Sequence, residues 1–215
     1  MPFDFLKRWR RPAKAASTSG KAAVGRGEGI PFDGVTEEWR LAGRMLVTGR
    51  LTDALNRREP IEIVDVRWAP VDGSGPFAAA SGLKSLDPYD LILVFAGEDS
   101  VSEMSDAERS AHRVHKVIYE VALEVPPYRV IGRVQLYPGS EPDSLLSRST
   151  EMFVPILDAT ATMGIRPVGS GNPSTILVNR QYLRGVEQVD ARTGERYQKL
   201  PGQSMGGTNW TDRAR

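Results

Sequence analysis

Apolar and polar residues alternate with a period of two along the middle of the chain. In the stretch that begins at Trp39, Leu41 and Met45 fall on the same side as the tryptophan, whereas Arg40 and Arg44 fall on the other. Alternation of this kind is typical of a strand with one buried face. The pattern therefore predicts a half-buried strand here.

Further strands follow from the same alternation and from short apolar runs. The predicted strands cover residues 39–47, 61–68, 91–95, 117–125, 128–137, 152–159, 175–179 and 182–189. The run 91–95 is apolar on both faces, which is typical of a central strand. Pro126 and Pro127 end one strand because proline cannot donate to a ladder of hydrogen bonds. Residues 71–86 are rich in Gly, Ser, Pro and Ala, so we expect a loop there.

One segment has helical spacing instead. Ser105 and Glu108 have the separation of a capping box, in which two side chains satisfy free backbone N–H groups at a helix start. Apolar residues accompany them at helical spacing: Ala107, Ala111, Val114 and Ile118. This spacing predicts a short helix over residues 104–116, within a linker that spans 100–117.

The two ends of the chain differ in composition from its middle. Residues 1–35 combine a basic, aromatic arm with a glycine-rich stretch that is typical of a flexible linker. Residues 191–215 carry too few apolar side chains to offset the entropy of ordering them, so we expect disorder there. The sequence thus predicts an ordered body of two parts, 36–99 and 118–190, on either side of the linker helix.

The two parts of this body share a series of short motifs. Residues 39–45 align with residues 128–134, and both stretches contain Gly-Arg. Three further matches follow in the same order, and the second copy is offset from the first by about 85–93 residues. They align 52–56 with 142–146, 63–66 with 156–159, and 91–94 with 175–178. This repeated order predicts an internal duplication.

The motifs also indicate a fold class. Gly43 and Gly132 hold matching positions inside strands, where glycine marks a bulge or a tight bend. Strongly bent sheets of few strands close into small barrels. We therefore predict a mainly β fold, in which two related small barrel-like or sandwich-like repeats are joined by one short helix and the termini are disordered. The bulky residues predicted to fill the core are Trp39, Trp68, Tyr89, Phe95, Tyr119, Tyr128 and Phe153.

Four short motifs resemble a known group of proteins. They are Gly43-Arg44, Asp53-Ala54-Leu55-Asn56, Val64-Asp65 and Val178-Asn179-Arg180. In this order they are similar to an uncharacterised family of small bacterial β domains, here as two divergent tandem copies. The resemblance implies a β fold with structural roles for these residues, and it implies no chemistry. The strand number and the bending are also similar to the small barrel of Sm-like proteins, by analogy alone.

Composition narrows the classes of function. The chain has 215 residues, with 28 Lys and Arg against 27 Asp and Glu, and a net charge of +1 excludes a globally basic nucleic-acid binder. The absence of cysteine excludes disulfides, thiolate metal sites and a cysteine nucleophile. No apolar run approaches the ~20 residues of a spanning helix, and the first residues lack the apolar core of a secretory signal. We therefore expect a cytoplasmic protein.

Two pairs of residues are candidates for chemistry. His112 and His115 lie three apart on the predicted helix and could hold a metal ion, but no third ligand is evident. Asp65 and Asp158 end matching strands and could act in acid–base catalysis, although equivalent acids in a duplicated fold more often accept backbone N–H bonds in turns. No nucleophile is paired with a base, so we expect no enzyme, and hence no catalytic residue, metal or cofactor.

The N-terminal arm has the composition of an interfacial helix. Its aromatic, apolar and cationic residues are Phe3, Phe5, Leu6, Lys7, Arg8, Trp9, Arg10 and Arg11. On a helix Phe5, Leu6 and Trp9 would share one face, which suits docking to an anionic membrane surface or to a partner. A basic tail that keeps the chain in solution, and an arm that stacks on RNA, are the alternatives.

Arginines on matching strands form a candidate basic strip. Its members are Arg40, Arg44, Arg129 and Arg133. Together with the arm, this strip would make the protein an RNA binder, although the near-zero net charge supplies little counterion release.

Our first hypothesis is a non-enzymatic interaction or assembly module of the bacterial cytoplasm. Its arm would dock it to the inner membrane surface or to a partner, which is another protein or a second copy of the chain. Strand pairing at an exposed edge, either 182–189 or 39–47, would supply the contact. RNA binding is the alternative, and no small-molecule substrate is inferred.

Overall fold

A computed structural model describes residues 29–96, 116–147, 151–169 and 175–190, together with Thr193, Glu195 and Arg196. The protein is mainly β, as the sequence predicts. The N-terminal arm, His112, His115 and, apart from Lys116, the predicted helix over 104–116 lie outside the described residues.

Strands dominate the described part of the chain. They are β1 (Ile30–Val35), β2 (Trp39–Met45), β3 (Ile61–Pro70), β4 (Ala78–Ala79), β5 (Ser85–Leu86), β6 (Leu93–Ala96), β7 (Val117–Val125), β8 (Tyr128–Leu136), β9 (Phe153–Met163), β10 (Arg166–Val168), β11 (Thr175–Asn179) and β12 (Gly185–Gln188). A short helix, α1, covers Leu51–Asn56, and 3-10 segments cover Pro88–Asp90 and Pro142–Leu146.

The strand pairings are antiparallel and form two series. In the first series the order is β6-β1-β2-β3, and β3 also pairs with β4 and β5. In the second series the order is β12-β7-β8-β9, and β9 also pairs with β10 and β11. Pairing of β11 with β6 joins the two series into one sheet.

Each series contains a bulge at the glycine that the sequence singles out. The register between β2 and β3 shifts at Gly43, and the register between β8 and β9 shifts at Gly132. A Cβ atom on Gly132 would lie 2.8 Å from the side chain of Ala159, so β8 and β9 approach each other more closely than any other residue would allow. On the partner strands, Asp65 and Asp158 adopt positive φ angles of 54° and 45°.

Two hydrophobic clusters fill the interior, and each draws on both series. One surrounds Tyr128 and Ile156 and includes Phe95 of β6. The other surrounds Leu55 of α1 and includes Phe153 of β9. Because each cluster contains side chains from both series, burial of apolar surface holds the two halves of the sheet together.

The predicted core aromatics are largely confirmed. Four of them are buried, Tyr128 and Phe153 completely and Phe95 and Tyr119 almost so. Trp39 and Trp68 are partly buried and meet edge to face, with ring centroids 4.4 Å apart. The prediction for Tyr89 is wrong: its side chain lies in a 3-10 segment between strands and is 38% exposed.

Several predicted boundaries are also wrong. Ile30–Val35 falls in the predicted linker, yet it forms β1, which pairs on both sides. The predicted loop over 71–86 contains β4 and β5. Strand β2 lies between β1 and β3, so it is not an exposed edge, whereas β12 stands at the end of the sheet. In the predicted disordered tail, Arg196 forms a β-bridge with Val189.

Candidate functional site

Arg40, the first arginine of the predicted basic strip, is held in a two-pronged ion pair. Its Nε and Nη2 donate to the two carboxylate oxygens of Asp33 at 2.9 and 2.5 Å. This hydrogen bonding raises the pKa of the Arg40 guanidinium. The same guanidinium lies 5.4 Å from the centre of the Phe77 ring, which Arg67 approaches to 5.7 Å. The charge of Arg40 is therefore already compensated within the sheet.

Two further arginines of the strip also meet carboxylates. Arg129 Nε lies 3.3 Å from a carboxylate oxygen of Glu124 on the adjacent strand β7, and Arg133 forms an ion pair with Asp158. Arg44 has no ion pair within the described ranges. Binding to RNA requires cations that neutralise phosphates and so release the counterions held by the nucleic acid. Three of the four arginines here are instead neutralised by neighbouring acids. The arrangement weighs against a strip dedicated to RNA.

The sequence places Asp65 and Asp158 at strand ends, which is wrong, because both lie inside strands, Asp65 in β3 and Asp158 in β9. Asp65 and Asp158 stand beside the bulges with left-handed backbone, a conformation in which Asp is enriched among non-glycine residues. Asp158 is also bound by Arg133. Among the described residues, no group of three or more His, Cys, Asp or Glu could hold a metal ion. No helix in this part of the chain is long and apolar enough to cross a membrane.

A strand edge without a neighbouring strand lies at one end of the sheet. Strand β12 pairs with β7 on one side, and no described strand pairs with the other side of residues 185–187, which we call the β12 edge. The N–H of Val189 donates to the backbone carbonyl of Glu120 in β7 at 3.1 Å, so the backbone groups of Val189 point towards β7. Because successive backbone groups of a strand point to opposite sides, the N–H and C=O of Val186 point away from β7.

The residues of the β12 edge are half-buried, and one of them is an acid that forms an ion pair with Arg196. Glu187 accepts a hydrogen bond from the guanidinium of Arg196, and this bond lowers the pKa of the Glu187 carboxyl. Beyond the edge, Val189 is occupied by its bridge to Arg196. The part of β12 whose outer side pairs with no described strand therefore ends at Glu187. The 3-10 segment Pro142–Leu146 also lies close to β12.

A second such edge lies in the other series. Residues 84–86, which we call the β5 edge, pair with β3 alone among the described strands. The carbonyl of Lys84 accepts a hydrogen bond from the N–H of Ile63 at 2.9 Å. By the same alternation, the N–H and C=O of Ser85 point away from β3. Lys84 and Ser85 are both exposed.

The two series meet in the middle of the sheet, where β6 pairs with β11. In the joint between β6 and β11, Leu93 faces Val178 and Phe95 faces Ile176. Asn179 strengthens the joint, since its backbone N–H donates to the carbonyl of Ile92 at 3.0 Å and its Nδ2 donates to the carbonyl of Leu91 at 2.7 Å. The side chain of Asn179 is completely buried.

The sequence pattern predicts the strand of one of these two edges and does not predict the other. It placed the final strand at 182–189, which contains β12. It missed β5 because this strand has two residues, Ser85 and Leu86, inside a stretch rich in turn-forming residues. A polar–apolar alternation at Lys84–Leu86 was too short to stand out from a loop.

Comparisons with protein families, with curated proteins and with solved structures each gave no match to this chain.

Proposed function

We propose that the protein is a non-enzymatic interaction and assembly module whose contacts form by strand pairing at the β12 and β5 edges. The observation that carries this proposal is the outward direction of two sets of backbone groups, those of Val186 on the terminal strand β12 and those of Ser85 on β5, which pairs with β3 beside β4. Unpaired N–H and C=O groups in a row form a template for a further strand.

The duplication predicted from the sequence aligns 91–94 with 175–178, whereas the pairings make β6 correspond to β12 and β5 to β11. In this proposal, residues 30–96 and 117–188 are nevertheless two copies of one unit. Matching bulges at Gly43 and Gly132, and matching left-handed residues at Asp65 and Asp158, support it. The two series of pairings, which place β5 and β6 in the roles of β11 and β12, support it further. Each unit then has two edges, and one edge of each is used in the central joint.

The N-terminal arm would supply a tether in this arrangement. Its aromatic residues suit the headgroup boundary of a bilayer, and its cations suit anionic lipid. One arm of about ten residues binds weakly, whereas several arms on one assembly bind together with higher avidity. Assembly through the sheet edges and attachment through the arm would thus reinforce each other, at the inner face of a bacterial membrane.

Site-directed photo-crosslinking in the native cell tests the edges. A photoreactive phenylalanine replaces Ser85 in one variant and Arg184, directly before β12, in another. The control carries it at Gln135, which is exposed on β8 away from both edges. We expect a discrete crosslinked protein from the two edge positions and none from the control. Equal crosslinking at all three positions, or none at the edges, contradicts the proposal.

Vesicle co-sedimentation tests the tether separately. The full chain should sediment with vesicles that contain anionic lipid, and the variant Phe5→Glu/Trp9→Glu should stay in the supernatant. A matched variant, Ala22→Glu/Val24→Glu, adds the same charge to the predicted linker and should sediment like the original chain. If all three remain in the supernatant, the arm is not a membrane tether.

A further inference from the structure

We propose that the partner of the β12 edge is the β5 edge of a second copy of this chain, so that molecules associate head to tail. This inference rests on the proposed function and names the partner of that same site. The template is the joint inside the molecule, where β6 of one series pairs with β11 of the other.

The correspondence between the edges follows from the pairing registers. Strand β6 pairs with β1 as β12 pairs with β7, with Leu93 opposite Val35 and Gly185 opposite Glu124. The residues that follow, Phe95 and Glu187, therefore hold corresponding positions. The residues before these strands also correspond. The N–H of Ile92 donates to the backbone carbonyl of Val35, and the N–H of Arg184 donates to the backbone carbonyl of Glu124, each at 2.8 Å.

The other side of the joint corresponds in the same way. Leu86 lies opposite Ile61, and Val178 lies opposite Val154. Ile61 and Val154 each stand four residues before the left-handed aspartate of their strand. Both β5 and β11 also lead into an Asx turn: the carboxylate of Asp87 accepts from the N–H of Tyr89, and the amide oxygen of Asn179 accepts from the N–H of Gln181, each at 3.0 Å.

Transfer of the joint register to two molecules sets three residue pairs opposite each other. Leu86 faces Gly185, Ser85 faces Val186, and Lys84 faces Glu187. In this register Ser85 and Val186 present their outward backbone groups to each other, which is the requirement for a ladder. The joint alone defines this register, which nevertheless brings a lysine opposite a glutamate.

Side-chain chemistry distinguishes the proposed contact from the joint. Within the molecule, the pair that corresponds to Glu187 and Lys84 is Phe95 opposite Ile176, and both of these side chains are buried. Between molecules it would be Glu187 opposite the exposed Lys84. Asp87 also lacks the amide donor that Asn179 uses in the joint. Because the proposed contact has few residue pairs and one of them is ionic, we expect the association to depend on protein and salt concentration. The joint within the molecule is apolar and forms as part of the fold.

The geometry of the contact is directional. The two edges are different surfaces, so each molecule offers one edge to the molecule before it and the other to the molecule after it. Such heterologous contacts close into rings where the rotation allows and otherwise form filaments. The bridge between Val189 and Arg196 limits the ladder to Gly185–Glu187, and Lys84 would join Arg196 beside the Glu187 carboxylate.

Sedimentation velocity on the purified full chain tests the inference. Over micromolar to millimolar concentrations at low salt, we expect species at integral multiples of the chain mass, and we expect high salt to reduce them. Ser85→Pro removes the outward N–H and leaves the pairing with β3 available, so it should abolish association while circular dichroism and the unfolding midpoint stay near those of the original chain. A single monomeric species at all concentrations overturns the inference.

A charge exchange identifies the two edges as partners. Lys84→Glu and Glu187→Lys should each weaken association about fivefold, since each places like charges opposite one another across the ladder. The double variant should recover most of the loss. Additive weakening in the double variant, or no effect of either change, overturns the assigned register.

The outcome separates this inference from the proposed function. If the purified chain is monomeric but the edges crosslink a different protein in the cell, the edges are interaction sites and only the identity of the partner is wrong. If neither association nor edge-specific crosslinking occurs, both fail.

Discussion

The side-chain amide of Asn56, at the end of α1, forms two hydrogen bonds with the backbone of Phe153, 97 residues later in the chain. Its Oδ1 accepts from the Phe153 N–H at 2.7 Å, and its Nδ2 donates to the Phe153 carbonyl at 3.3 Å. A helix of the first series thus holds the start of β9 in the second. Together with the mixed hydrophobic clusters, this contact fixes how the two halves of the sheet meet.

Loss of the Asn56 amide should destabilise the whole body. Asn56→Ala leaves the N–H and C=O of Phe153 without these partners, and we expect the free energy of unfolding to fall by about 1–3 kcal/mol. Urea denaturation measures the change. Gln181→Ala, which removes an amide side chain from an exposed position, should change it by less than about 0.5 kcal/mol. Equal effects of the two substitutions would contradict a role for Asn56 in joining the halves.

The close approach at Gly132 predicts a larger penalty than at a glycine that has open space around it. In Gly132→Ala the new Cβ would lie 2.7 Å from Ile156 Cγ2 and 2.8 Å from the Leu157 carbonyl oxygen. Overpacking of this kind costs about 1–3 kcal/mol. Gly82→Ala is the control, because its Cβ would meet nothing within 4 Å. A smaller loss of stability in the Gly132 variant than in the Gly82 variant would show that β8 and β9 are not as close as described.

The left-handed backbone at Asp65 predicts an unusual order of substitutions. Asp65→Val places a β-branched residue at a φ of 54°, which should cost about 1–2 kcal/mol. Asp65→Gly relieves this strain and should leave the unfolding midpoint close to that of the original chain. An ordinary strand position would give the reverse order, since valine favours strands and glycine weakens them. Thermal unfolding of the two variants decides between these orders.

Burial of Tyr128 predicts a loss of stability at alkaline pH. Burial raises the pKa of its hydroxyl to about 12, whereas an unfolded tyrosine titrates near 10. The folded state therefore keeps a proton that the unfolded state releases, so this contribution is intact below about pH 10 and declines as the pH rises towards 12. The stability difference between the original chain and Tyr128→Phe, measured by urea unfolding from pH 9 to 12, should shift in favour of Phe. A difference that stays constant with pH would contradict the burial of this hydroxyl.

The sequence predicts those strands in which the order of apolar and polar residues matches which side chains are buried in the fold. β2 shows partial alternation, with Leu41 and Met45 buried against the core, and β7 and β8 are separated where the two prolines stand. Gly43 and Gly132 could be recognised as bulges because glycine has few other uses inside a strand.

The elements that were missed depend on distant partners. β1 contains Pro31 and Gly34, which argue against a strand, and it forms because β2 and β6 pair with it on both sides. Helix α1 has six residues, and its N-cap, Arg50, makes no side-chain capping bond. The sequence therefore shows neither the length nor the cap that would predict a helix there. The contact of Asn56 with Phe153 joins residues that no spacing rule connects.

Backbone hydrogen exchange at Val186 tests the central claim, that the sheet works through its outer edges. We expect the Val186 amide of the full chain to exchange rapidly in dilute solution and to become protected as the protein concentration rises, while amides within the β7–β8 ladder are protected throughout. A Val186 exchange rate that is the same at every concentration, in the purified protein and in the presence of a cell extract, would contradict the account.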